Sequence, residues 1–63
     1  MTLEEYDALP AGAQHNVRAY FRLTDGQAHR AIQRHRDGHV TLSDGERQVL
    51  VDALAAVPPG LLS

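Results

Sequence analysis

The sequence predicts an all-α domain, a compact bundle of four short helices, on three observations. Ser or Thr followed three residues later by Glu or Gln, the signature of a capping box, occurs at Thr2–Glu5, Thr24–Gln27 and Ser43–Glu46. Apolar residues recur at helical spacing after each of these starts. Glycine and proline fall where the helices should stop, at Asp37-Gly38 and Pro58-Pro59-Gly60.

The first helix is expected over 3–9, with Leu3, Tyr6 and Leu9 on one side. The second opens at Pro10, since proline suits the first helical position, and covers 11–22. Its core side holds Ala13, Val17, Tyr20 and Phe21, and its other side His15, Arg18 and Arg22. The third covers 25–36, with Ala28, Ala31, Ile32 and His35 inward and Arg30, Gln33 and Arg34 outward. Leu23, ahead of the Thr24 cap, is placed to staple onto Ala28, and Gly38 supplies a left-handed cap. The fourth covers 44–57, with Val49, Leu50, Ala53, Leu54 and Val57 inward. The intervening segment 39–42 reads as a loop whose Val40 and Leu42 plug the core, because one extended segment makes no sheet alone.

Sixty-three residues make one domain, 1–63, that is marginal as a monomer. With no cysteine there is no disulfide or thiolate to staple it, so a homodimer is expected, with Val51, Leu61 and Leu62 as candidate contacts. No apolar run spans a membrane, and the acidic start is not a signal peptide, so the expected location is the cytoplasm.

The net charge of −2 hides a strong segregation. Residues 1–14 carry Glu4, Glu5 and Asp7 and no base. Residues 15–39 carry Arg18, Arg22, Arg30, Arg34 and Arg36 against Asp25 and Asp37, with all four histidines. Residues 40–63 turn acidic again, with Asp44, Glu46 and Asp52 against Arg47. All six basic residues are arginines. That fits bidentate contact with phosphate, and equally a codon bias toward arginine.

The third helix has a thin apolar stripe behind a basic outer face, which stability alone explains poorly; function is therefore expected there. His35 and His39 are spaced for one face of a helix, but Gly38 lies between them, so no metal and no cofactor are expected. There is no cysteine nucleophile, phosphate-cradling glycine loop or serine elbow, so catalysis is not expected either. The outward set Arg30, Gln33 and Arg34 is suited to base edges, since arginine pairs with guanine and glutamine with adenine. Arg18, Arg22, Arg36 and His39 are suited to phosphates around them. Histidines near such an interface, His29, His35 and His39 among them, would strengthen binding as pH falls toward about 6.

The stretch Ala31-Ile32-Gln33-Arg34-His35-Arg36-Asp37-Gly38, continuing through His39-Val40-Thr41-Leu42 to Ser43, resembles the end of the recognition helix and following turn in Cro/CI-like helix-turn-helix regulators of phages and plasmids. Ile32, Gln33, Arg34, Gly38 and Ser43 match the family's spacing of core plug, polar readers, helix-ending glycine and next helix start. Residues 47–60 are similar to the closing helix of such regulators. The resemblance implies a small DNA-binding transcriptional regulator. The alternative is a small non-catalytic protein-interaction or inhibitor protein, such as a phage-type inhibitor, an antitoxin or an adaptor, whose acidic and basic segments meet a larger protein partner.

Overall fold

A computed structural model of the chain describes residues 1–38 and 41–62, with the Leu62 side chain outside the description. Four helices are formed, α1 (Leu3–Ala8), α2 (Ala11–Thr24), α3 (Gly26–Asp37) and α4 (Asp44–Ala55), followed by a 3₁₀ turn over Pro59–Leu62. No strand occurs among the described residues. The radius of gyration, 10.7 Å, matches the ~10.6 Å of a compact chain this long.

α1 begins with the expected capping box. Thr2 Oγ1 accepts the Glu5 amide at 3.1 Å, and Glu5 Oε1 accepts the Thr2 amide at 2.9 Å. At its other end the Tyr6 carbonyl accepts the Leu9 amide at 3.0 Å and also Gln14 Nε2 at 3.0 Å, which ties the end of α1 to α2. Pro10 stands one position earlier than expected: it is the residue before α2, not its first helical residue.

The junction of α2 and α3 differs from the expectation. Thr24 is not a cap but the last residue of α2, where its hydroxyl donates back to the Tyr20 carbonyl at 2.7 Å. Asp25 takes the capping role, its Oδ1 accepting the Ala28 amide at 3.1 Å. The Asp25 amide also donates to the Phe21 carbonyl at 2.7 Å, so one extended residue both closes α2 and opens α3. Gln27 therefore has no box to complete. Leu23, now inside the last turn of α2, is 86% exposed and cannot staple onto Ala28.

α3 buries Ala28, Ala31 and Ile32 and packs between α2 and α4. Gly38 ends it as expected, at φ +70°, with its amide donating to the Arg34 carbonyl at 3.3 Å. Leu42 packs against the core, as the loop reading required; Val40 lies outside the described residues.

α4 starts on the Ser43–Glu46 box, with reciprocal bonds of 3.2 and 3.3 Å. It ends at Ala55, earlier than expected. Val57 is still buried, because its amide turns back onto the Leu54 carbonyl at 3.2 Å. The 3₁₀ turn lies against α2 and brings Leu61 onto the core. Leu61 is thereby removed from the candidate dimer contacts, while Val51 stays 39% exposed.

The core is Tyr6, Val17, Phe21, Ala28, Ala31, Ile32, Leu50, Leu54 and Val57, so every helix contributes to one apolar cluster. No described helix is long and apolar enough to cross a membrane.

Candidate functional site

Because α3 buries its thin stripe between two helices, its two flanks face different grooves. The groove toward α2 has a volume of about 310 Å³ and is lined by His15, Arg18, Ala19 and Arg22 from α2 and by His29, Gln33 and Arg36 from α3. Positions 15, 18, 19 and 22 form one stripe along α2, and 29, 33 and 36 one stripe along α3. Two basic stripes therefore face each other, and among the described residues no carboxylate lines the groove they enclose.

The groove toward α4 is of another kind. It has a volume of about 450 Å³ and is lined by Gln27, Arg30, Ala31 and Arg34 of α3 and by Gly45, Glu46 and Val49 of α4. Here a guanidinium is already matched: Arg34 Nη1 donates to Glu46 Oε2 at 3.0 Å. The Ser43 amide and hydroxyl hold the Glu46 carboxyl below its ordinary pKa, and Arg34 adds to that effect. The Ser43 amide bond is the largest of these causes.

The expected base-reading trio is thus divided. Arg30 is exposed and makes no ion pair among the described residues. Arg34 is exposed but engaged by Glu46. Gln33 is half-buried on the opposite flank, its Nε2 3.4 Å from His29 Nε2. They do not line one groove: Arg30 and Arg34 border the groove toward α4, and Gln33 the groove toward α2.

The expected phosphate set is largely brought together: Arg18, Arg22 and Arg36 share the α2–α3 groove. His39, the fourth member, lies outside the described residues. Arg18 is anchored as well, its Nη1 donating to the Tyr6 hydroxyl at 3.0 Å. Tyr6 is buried, so the bond fixes one end of that guanidinium against the body of the protein.

The histidines part company. His15 and His29 line the α2–α3 groove. His35 turns to α1, its Nε2 2.8 Å from Asp7 Oδ1 and its ring 6.4 Å from that of Tyr6. Among the described residues no three His, Asp or Glu side chains converge as metal ligands would.

Sequence spacing located each stripe but not their meeting. That His15 belongs with His29, and that Glu46 answers Arg34, depends on how α2 and α4 lean on α3. The stripe His15–Arg18–Arg22 was the available signal for the first; the Ser43 box, which aims Glu46 back toward α3, was the signal for the second.

Comparison of the chain with protein-family models, curated proteins and solved structures finds no match.

Proposed function

We propose that the protein is a small DNA-binding regulator that lays α3 against a duplex, with the α2–α3 groove receiving the phosphate backbone. One observation carries this: Arg18, Arg22 and Arg36 are gathered with two histidines in a groove that no carboxylate lines among the described residues. A gathering of uncompensated guanidinium groups costs repulsion and contributes nothing to the core, whereas a phosphodiester backbone offsets that charge. Arg30, exposed at the edge of the α3–α4 groove, is the base-reading residue. The protein acts as a homodimer placing two copies of α3 about one helical turn apart, roughly 34 Å. No catalysis and no cofactor are involved.

The test is fluorescence anisotropy on a labelled duplex across a salt series. Arginines on three phosphates give a slope of about −3 in log affinity against log salt for each protomer. Arg22→Ala and Arg36→Ala should each reduce that slope by about one. Arg30→Ala should lower discrimination between sequences, by ~1–3 kcal/mol at the base it contacts. Absence of binding at low salt would exclude a nucleic-acid role.

A second reading is a small inhibitor or adaptor that binds a protein. Leu23, 86% exposed beside Arg22, favours it. A single exposed leucine is common on protein surfaces, so this reading ranks below the first. Leu23→Glu separates the two: it should abolish capture of a protein partner and leave duplex binding intact.

A further inference from the structure

The α2–α3 groove contains two groups that the phosphate contacts do not require. His15 stands one turn before Arg18 on α2, and His29 one turn before Gln33 on α3. Both line the groove that holds Arg18, Arg22 and Arg36. We infer that His15 and His29 make this groove a proton-linked phosphodiester site, which takes up protons as the nucleic-acid backbone enters and binds more tightly as pH falls. The inference rests on the DNA-binding reading and adds its regulation.

The physical case is one of neighbours. An imidazole titrates near 6.5, and its charge responds to the charges around it. In the free protein each of these rings shares its groove with arginines. A phosphodiester entering the groove reverses the sign of the surroundings and favours the imidazolium. Affinity and protonation are then linked: whatever raises one raises the other.

The groups that face these rings are few. From α2 they are Arg18 and Arg22, and from α3 Gln33 and Arg36. From α1 the Tyr6 hydroxyl reaches the groove's edge through Arg18. α4 gives no residue to this groove, and the 3₁₀ turn against α2, Pro59–Leu62, carries no titratable side chain. Among the described residues no acid lines the groove; the acids of α3's own ends are Asp25, one turn before His29, whose Oδ1 accepts the Ala28 amide at 3.1 Å, and Asp37, one turn after Gln33. Gln33 can serve both states of His29. Its amide nitrogen, 3.4 Å from His29 Nε2, donates to the neutral ring. Turned over, the amide offers its oxygen to the protonated one. His35, held at Asp7 on the α1 side, is the internal control.

The experiment is anisotropy of a labelled random-sequence duplex, with the full chain, at constant ionic strength from pH 8 to pH 5.5. The expected result is an affinity that rises with falling pH by up to about tenfold for each histidine, the effect of a one-unit pKa change on binding. H15Q/H29Q should lose most of the rise between pH 8 and pH 5.5, whatever its affinity at pH 8. H35Q should keep the wild-type profile. NMR titration of the imidazole protons should place both groove histidines at higher pKa in the complex than in the free protein. Binding that is flat in pH overturns the proton linkage and leaves DNA binding standing. So does a rise that survives in H15Q/H29Q, or imidazole pKa values that the duplex leaves unmoved. Absence of binding throughout overturns both.

Discussion

Glu46 accepts hydrogen bonds with both carboxylate oxygens: Oε1 from the Ser43 amide at 3.3 Å and Oε2 from Arg34 Nη1 at 3.0 Å. The residue that completes the α4 cap thus also tethers a guanidinium on the neighbouring helix. A local device for starting a helix doubles as a tertiary contact, and it decides which arginines of α3 are free.

Glu46→Gln separates these two roles, because glutamine also completes a capping box. The helix start should be retained and the Arg34 tether lost. Duplex affinity should rise by up to about fivefold, the ceiling set by the worth of an exposed ion pair. Anisotropy with the wild type and Glu46→Gln, alongside circular dichroism to check helix content, measures both.

Ile32 is the one large apolar side chain that α3 buries; its other two buried residues, Ala28 and Ala31, are small. Ile32→Ala should cost ~2–5 kcal/mol. A domain of this length has only roughly 3–9 kcal/mol of stability in total, so the variant should be largely unfolded at 37 °C. Urea denaturation followed by circular dichroism gives the value.

Two glycines should answer alanine with opposite signs. Gly38 has φ +70°, a conformation alanine adopts only with strain, and Gly38→Ala should lower stability by ~1 kcal/mol or more. Gly12 lies in the first turn of α2 with open space where a Cβ would stand. Gly12→Ala should raise stability by ~0.4–1 kcal/mol, chiefly by restricting the unfolded chain. Thermal melts of the pair reveal the sign directly.

Acid should weaken the fold through its two caps. Glu5 is held below its ordinary pKa by the Thr2 amide, then by the Thr2 hydroxyl, and Glu46 by the Ser43 amide. A carboxyl whose folded value is lowered stabilises the fold fully above its unfolded value, near 4.5. That contribution is lost as pH falls through the folded value. The urea midpoint should therefore decline below about pH 4.5. In E5Q/E46Q, which keeps amide acceptors at both caps, the decline should be shallower.

The helix count was legible because the chain marks its helices locally. Thr2, Ser43 and Gly38 each act within a few residues of themselves, and each sits where spacing placed it. The α2–α3 corner was not, because Thr24 and Asp25 both suit a cap. The choice fell to Asp25 once the Thr24 hydroxyl could reach the Tyr20 carbonyl. The candidate site was legible as stripes and no further. Spacing assigns Arg18 and Arg36 each to a face of its own helix. Only packing against the shared core makes those faces opposite walls of one groove, and puts Gln33 and Arg34 on different sides.

Tyr6 holds Arg18 through its hydroxyl and lies against His35 through its ring, yet it belongs to a helix of six residues. So short a helix has almost no persistence of its own in water. Its order is borrowed from the cluster it docks on, which puts it among the segments that open first in native-state hydrogen exchange. Each such opening would release the guanidinium of Arg18 as well as the helix. A short helix that opens early is thus tied to the wall of the basic groove. The orientation of that wall becomes a property of how α1 breathes, and a ligand that fixes Arg18 would slow exchange at the amides of α1.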